Sequence, residues 1–224
     1  MRKAIILHVL MFAVLIMGVL SCDDAGIIKP KAENLWIRLD TATGQDAYIT
    51  DFFSTTNFGN DPDFAGIAWC IDTGCTMPYT GRTLFRFYLN NIPSTATVTS
   101  AKLLLSYNPT CFHSPSPGHR DNSGSNACLL QRITAGWQDS NVTWSNQPSA
   151  VTTNQVTVPA STTQIENYTI DITAFINDMV KNPSTNNGLM LRMETESPLR
   201  SLNFASSDNA DSTIRPLLLI TYTP

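Results

Sequence analysis

From residue 35 onward, the chain consists of short runs rich in branched and aromatic residues, separated by clusters of Gly, Pro, Asn, Asp and Ser. Such runs are typical of many β-strands joined by turns. The candidate strands are residues 35–39, 47–50, 82–89, 98–107, 128–134, 155–158, 168–172, 188–194, 201–205 and 217–222. This pattern predicts an all-β domain built as a two-sheet sandwich.

Alternation within the runs supports this prediction. In the run 82–89, Phe85 and Phe87 fall on one face because successive side chains of a strand point to opposite faces. Arg86 and Tyr88 fall on the other face. We therefore expect the phenylalanines to face the core and the arginine to point outward.

One segment has the helical period instead. Thr173 can cap a short helix, which Pro183 and Gly188 would end. Four apolar side chains fall on one side of this helix: Phe175, Ile176, Met179 and Val180. We expect this one short helix to close an end of the sandwich.

The first 21 residues have the pattern of a secretory leader, with Arg2 and Lys3 ahead of the apolar run 4–20. The ending L-S-C is the lipobox of bacterial lipoproteins, at which Cys22 becomes the acylated first residue. The alternative is one transmembrane helix, but the run is near the lower length limit for spanning. We thus predict a leader at 1–21, the lipidated Cys22 with a flexible tether at 22–34, and one domain at 35–224.

A lipidated cysteine would tether the domain to a membrane of the bacterial cell envelope. The outer membrane and the cell surface are the open alternatives for its location. The formal net charge is −4, with 14 Lys and Arg against 18 Asp and Glu. A general nucleic-acid role is excluded on this basis, since nucleic-acid-binding domains are usually basic.

The other four cysteines form an even set, which in an exported protein predicts two disulfides. Each of the pairs Cys70–Cys75 and Cys111–Cys128 brackets one loop, so we predict this pairing among the three that four cysteines allow. A metal–thiolate site that includes His113 and His119 is the alternative. It is less favoured because the chain lacks a paired C-x-x-C spacing.

Several separated pieces of the chain resemble the DNRLRE-domain family, which overlaps with carbohydrate-binding module family 96. The pieces are G-Q-D-A-Y-I at 44–49, T-N-F-G-N-D at 56–61, R-T-L-F-R-F-Y-L at 82–89, I-P-S-T-A-T-V-T-S-A-K-L at 92–103, S-G-S-N-A at 123–127, L-Q-R at 130–132, Trp137, V-T-W-S-N-Q-P at 142–148, Y-T-I-D-I-T at 168–173, N-P-S-T-N-N-G at 182–188, S-L-N-F-A-S-S-D at 201–208 and R-P-L-L at 215–218. The resemblance rests on their order and spacing. It implies a β-jelly-roll module that recognises polysaccharide, with uronate-rich chains such as alginate known for relatives.

A carboxylated sugar calls for cations of fixed geometry, and the planar fork of arginine can hold a carboxylate through two hydrogen bonds. Aromatic rings are the other usual platform for sugars. The candidate ligand-binding residues on or beside the strands are Arg82, Arg86, Tyr88, Lys102, Arg132, Arg192 and Arg200. Strand parity suggests that Arg86, Lys102 and Arg192 share one outward sheet face. The alternative for each of them is an ordinary solvated surface position.

No cofactor is required by this reading, but aspartates near both ends of the domain offer hard oxygen ligands for a structural calcium ion. These aspartates are Asp46, Asp61, Asp63, Asp208 and Asp211. The alternative is that they cap their own turns, as aspartates in Asn- and Gly-rich segments usually do.

The sequence predicts a non-enzyme, because neither a G-x-S-x-G nor an H-E-x-x-H pattern is present. We expect a lipid-anchored module that binds an acidic polysaccharide. One alternative is a structural or assembly protein that packs against an envelope protein partner without binding sugar. A less favoured alternative is a polysaccharide lyase that uses Tyr88, Arg86 and His119.

Overall fold

The computed structural model describes residues 31–111 and 118–224. The predicted leader 1–21, the lipidation site Cys22, and the loop residues Phe112 and His113 lie outside the described residues. The described elements, in chain order, are β1 (Glu33–Arg38), β2 (Gly44–Thr50), β3 (Asp63–Cys70), β4 (Pro78–Phe87), β5 (Thr97–Leu105), β6 (Arg120–Asp121), β7 (Cys128–Ile133), β8 (Ala150–Val158), β9 (Tyr168–Asp171), α1 (Thr173–Lys181), β10 (Leu189–Met193), β11 (Arg200–Ala205) and β12 (Leu217–Thr223).

The strands form two antiparallel sheets. The small sheet has the order β1-β12-β5-β9, and the large sheet has the order β6-β11-β3-β4-β10-β7-β8, with β2 added beside β4. Several neighbours in these sheets are far apart in the chain, as where β12 pairs with both β1 and β5. The predicted all-β sandwich with one short helix is confirmed.

The main core fills the space between the two sheets. It contains Phe64, Phe85 and Phe204 from the large sheet and Leu103 and Leu218 from the small one, all buried. Burial of each such side chain contributes about 1.5–3 kcal/mol. The core therefore holds the two sheets together and fixes which face of each strand remains outside.

A second buried cluster lies on the opposite face of the large sheet. Its members are Ala47, Ile49, Leu84, Ile133, Trp137, Val142 and Met190. The chain after β7 folds back over this face, and the Trp137 indole N–H donates a hydrogen bond to the carbonyl of Asn187 at 2.8 Å. The large sheet is thus covered on part of its outer face.

Helix α1 confirms the predicted apolar side, since Phe175, Ile176, Met179 and Val180 are all buried. The predicted capping by Thr173 is wrong. Thr173 is the first helical residue. Its backbone N–H donates at 2.9 Å to the carboxylate of Asp171, which precedes it by two residues in the chain. Among the described residues, no helix has the length and apolar character needed to cross a membrane.

Several strand boundaries differ from the sequence prediction, and β2, β4 and β8 each begin three to five residues earlier than predicted. β1 begins at Glu33, inside the segment predicted as a tether, because Glu33 and Asn34 pair with Tyr222 and Thr221 of β12. β3 was not predicted at all. Every residue of β3 is buried, so its sequence shows no alternation of polar and apolar residues.

The cysteines confirm one predicted bond and correct the other. Cys70 and Cys75 form a disulfide across the turn between β3 and β4, with their Cα atoms 5.0 Å apart. The predicted bond between Cys111 and Cys128 is absent from the described structure. The Cys128 side chain lies in the main core 3.6 Å from the sulfur of Met193, whereas the Cys111 thiol faces the Asp63 carboxylate at 3.4 Å.

Candidate functional site

A shallow cleft of about 290 Å³ opens on the outer face of the large sheet, beside the second cluster. Arg82 of β4, Gln131 of β7 and Arg192 of β10 project into it from three neighbouring strands. Gln147 and Ser149 line it from the loop ahead of β8. Its lining therefore combines two guanidinium groups with amide and hydroxyl groups.

Strand register places the two arginines side by side. Leu191 of β10 pairs with Thr83 of β4, and the next pair along this antiparallel ladder is Arg192 with Arg82. Phe85 and Leu191 belong to the main core. Since side chains alternate along a strand, both arginines lie on the opposite face, toward solvent.

Both arginines bind the same carboxylate. Arg82 donates to Glu196 from Nε at 2.8 Å and from Nη2 at 2.9 Å, and its Nη1 donates to the amide oxygen of Gln147 at 2.9 Å. Nη2 of Arg192 lies 2.8 Å from the same carboxylate. One negative charge therefore faces two positive charges, and the cluster keeps a net charge of about +1 at neutral pH.

Trp144 supports this arrangement. It belongs to a short 3-10 turn, Trp144–Asn146, and packs against the second cluster. The guanidinium of Arg82 lies over its ring, 4.5 Å from the centroid. Its backbone carbonyl accepts a hydrogen bond from the Gln147 amide at 2.9 Å, so the turn also positions Gln147.

Comparison with protein-family models decides the family. The model of carbohydrate-binding module family 96 matches residues 39–222. The chain belongs to this family. A search of curated proteins found no match.

Arg86 of β4 and Tyr88, just after the end of β4, lie outside the cleft of this family 96 module. The Arg86 guanidinium lies over the Tyr88 ring at 5.3 Å. Arg86 follows Arg82 by four residues on β4, which separates them by about 13 Å along the strand. The predicted Arg86 and Tyr88 therefore contact each other at a distance from the Arg82–Arg192 pair.

The other predicted cations lie elsewhere on the module. The prediction that Lys102 shares a face with Arg86 and Arg192 is wrong, because Lys102 is on β5 of the small sheet, 2.6 Å from Asp171. Strand parity assigns a side chain to a face of its own sheet and cannot tell one sheet from the other.

Arg132 and Arg200 are on the large sheet but point away from the cleft. The pairing of β7 with β8 is irregular between Leu130 and Arg132, and Arg132 forms an ion pair with Asp178 of α1. Arg200 donates to the backbone carbonyl of Ser123 at 2.7 Å. Both arginines join separate segments of the fold.

The predicted calcium ligands of the family 96 module are engaged within their own turns or with neighbouring side chains. Asp61 accepts the N–H of Asp63 at 2.9 Å, and Asp211 accepts the N–H of Thr213 at 2.9 Å. Asp63 accepts a hydrogen bond from the Asn108 amide at 2.6 Å. The contacts of Asp61 and Asp211 are those of the alternative in which aspartates cap turns.

Asp46 and Asp208 lie near each other at the end of β2. Asp46 is buried and accepts hydrogen bonds from the backbone N–H of Ser207, at 3.1 Å, and from its hydroxyl. Burial raises the pKa of Asp46 to about 7 and also raises the pKa of Asp208. Among the described residues, no three His, Cys, Asp or Glu side chains come together in a group suited to a metal ion. The calcium ion stays a prediction from the sequence.

His119 is buried among rings and is not exposed to the cleft. Its Nδ1 accepts the N–H of Asn203 at 3.1 Å, and its Nε2 lies 2.9 Å from the carbonyl of Glu166. These partners require a neutral imidazole with its proton on Nε2. Burial lowers the pKa of His119, in agreement with the neutral form.

Sequence reasoning did not identify Gln131, Gln147 and Glu196 as members of the site. Alternation along 128–134 could have placed Gln131 on the outer face, opposite the buried Leu130. Gln147 and Glu196 lie in connections, where no periodic pattern applies. Their contacts with Arg82 join residues 65 and 114 positions apart in the chain, which only the fold brings together.

Proposed function

We propose that this module binds an acidic, uronate-rich polysaccharide in the cleft around Arg82 and Arg192, without catalysing a reaction on it. The observation that carries the proposal is the placement of these two guanidinium groups side by side on the outer face of the large sheet. Membership of a carbohydrate-binding family supports a sugar ligand. The choice of an acidic sugar rests on the charge of the cleft.

Each group in the cleft has a role in this binding. Guanidinium forks bind carboxylates through paired hydrogen bonds, whereas the amides of Gln131 and Gln147 can both donate to and accept from sugar hydroxyls. Trp144 holds the Arg82 guanidinium from below. The opening is shallow, so a long chain can lie across it with several of its sugars in solvent.

The absence of catalysis is part of the proposal and is supported by the cleft's chemistry. Glycoside hydrolysis usually needs two carboxyl groups on opposite sides of the bond. Glu196 is the acidic side chain that contacts the arginines, and both of its oxygens are bound by them. A lyase that uses His119 as a base is disfavoured because both ring nitrogens contact backbone groups away from the cleft.

We further propose that Cys22 carries a lipid anchor that holds the module at the bacterial cell envelope. The leader pattern and the L-S-C ending support this proposal. Expression of the full chain with a radiolabelled fatty acid tests it. Label should enter the wild-type protein and be absent from Cys22→Ser; equal labelling of both proteins would contradict the anchor.

Sugar binding is tested with the full chain in detergent micelles, by affinity electrophoresis in gels that contain alginate, polygalacturonate or a neutral glucan. Arg192→Ala should reduce retardation by the acidic polymers, and added salt should reduce it for the wild type. Lys102→Ala is the matched control, because it removes the same charge from the opposite sheet. Equal losses of retardation in the two variants would show that net charge alone causes the retardation. No retardation of the wild type in any gel would refute sugar binding.

A further inference from the structure

Glu196 occupies the place between the arginines where a ligand carboxylate would bind. Its two oxygens accept from Nε and Nη2 of Arg82, in the paired geometry that an arginine forms with a bound carboxylate. One of these oxygens also lies 2.8 Å from Nη2 of Arg192. The protein thus supplies from its own chain the group expected of an acidic sugar.

We propose that Glu196 is an internal competitor, which a carboxylate of the polysaccharide must displace from Arg82 and Arg192. This inference rests on the proposed function, and it assigns Glu196 the control of affinity and of selectivity for charged sugars. An acidic sugar can replace the two ion pairs that Glu196 gives up. A neutral sugar cannot, so it leaves the internal pairs in place.

The position of Glu196 in the fold permits this exchange. It lies in the connection between β10 and β11 and not within a strand. The ends of this connection are fixed, since the N–H of Glu194 donates to the carbonyl of Ala127 at 2.9 Å and the Pro198 carbonyl accepts from the hydroxyl of Ser123. The Glu196 side chain is 20% exposed. It can therefore rotate into solvent without breaking a strand pairing.

Glu196 leaves one donor of the arginine pair unsatisfied. The Nε of Arg192 is buried and has no hydrogen-bond partner among the described residues. Burial of an unsatisfied donor is unfavourable, and for a charged group the cost is larger than for a neutral one. This cost belongs to the state in which Glu196 holds the arginines, so a rearrangement that lets Nε reach a ligand oxygen or water favours the release of Glu196.

Competition also predicts how salt acts on binding. In the wild type, salt weakens the internal ion pairs as well as those with the ligand, so the two effects partly cancel. Without the Glu196 charge, only the pairs with the ligand remain to be screened. The affinity of a variant that lacks this charge should therefore fall more steeply with ionic strength.

The test compares Glu196→Gln with Glu194→Gln in the full chain in detergent micelles. Glu194 is exposed and belongs to the same connection, so its substitution changes the net charge equally without changing the arginine contacts. Calorimetric titration with alginate oligosaccharides should show that Glu196→Gln binds about tenfold more tightly than the wild type, since a facing negative charge has been removed. Glu194→Gln should bind with close to wild-type affinity, and a neutral glucan oligosaccharide should show no gain with either variant.

Other results would overturn the inference. If the wild type binds alginate and Glu196→Gln binds it equally or more weakly, Glu196 positions the arginines and does not compete with the ligand. Glu196→Ala provides a second test of the same point, and thermal unfolding of each variant shows whether the domain is intact. If neither the wild type nor either Glu196 variant binds any of the polymers, the proposed function fails and this inference fails with it.

Discussion

The guanidinium of Arg82 lies 4.5 Å from the centroid of the Trp144 ring while its nitrogens donate to Glu196 and Gln147. The ring therefore supports the face of a cation whose edge carries the hydrogen bonds. Trp144 itself is held by the second cluster, which includes Leu84 of the same strand as Arg82. The cleft is thus built on a packed layer and not on a loop alone.

Replacement of Trp144 with alanine should weaken binding of alginate by about twofold to fivefold, because a cation–π contact of this kind contributes about 0.5–1 kcal/mol. Calorimetric titration measures the change. Trp36→Ala is the matched control, since Trp36 is 74% exposed on the small sheet and far from the cleft in the strand order. A larger loss for Trp36→Ala than for Trp144→Ala would place the sugar on the small sheet instead.

Asp46 should make the protein less stable as the pH rises from about 4 to about 7. Its pKa is about 7 in the fold and near 4 in the unfolded chain, so the folded state binds more protons in this window. The destabilisation by Asp46 is complete above pH 7. It is absent below pH 4, where the carboxyl is protonated in both the folded and the unfolded state.

Asp46→Asn should remove this dependence and raise the free energy of unfolding at pH 8 by about 1–3 kcal/mol. Urea denaturation at pH 5 and pH 8 measures the effect. Asp121→Asn, at an exposed carboxylate of β6, is the control and should leave the pH profile unchanged. A parallel fall in stability for Asp46→Asn and the wild type between these pH values would disprove the assignment.

Much of the fold could be predicted from the sequence because its strands are buried on one face and show a period of two. Phe85 and Phe87 of β4 lie in the main core, as their alternation with Arg86 predicts. β3 has no such period, since both of its faces are covered. Its position beside β4 could be learned only from the structure.

The candidate site was predictable only in part. Alternation predicted an outward face for Arg192, and Arg82 has the same parity as Arg86, but nothing local indicated that β4 and β10 are neighbours. Lys102 has the same parity and belongs to the other sheet. Glu196 contacts both arginines from a connection, and such a long-range ion pair leaves no pattern in one sequence.

His119 should stabilise the domain above about pH 6.5 and lose this contribution as the pH falls through its lowered pKa. Protonation would place a proton on Nδ1, which now accepts the N–H of Asn203. His119→Ala should lower the free energy of unfolding at pH 7.5 by about 2–4 kcal/mol, since it removes buried hydrogen bonds and contacts with the rings of Tyr168 and Phe204.

The difference between wild type and His119→Ala should shrink below pH 6, because only the wild type loses stability there. Urea denaturation at pH 7.5 and pH 5 measures this difference. Both proteins carry Asp46→Asn, so that the opposite pH dependence of Asp46 does not interfere. A difference that is constant over this range would show that His119 acts through packing alone.

The cysteine arrangement predicts different behaviour for Cys70 and Cys128. Loss of the Cys70–Cys75 bond, in Cys70→Ser/Cys75→Ser, should destabilise the domain by about 2 kcal/mol, because the unfolded chain is then less restricted.

Cys128 should resist alkylation in the native protein, because it is buried in the core and burial raises its thiol pKa. Native and denatured samples are labelled with iodoacetamide, both without reductant, and are analysed by peptide mass spectrometry. Cys128 should be modified only in the denatured sample. Recovery of a peptide in which Cys128 is bonded to Cys111 would contradict the structure and restore the pairing predicted from the sequence.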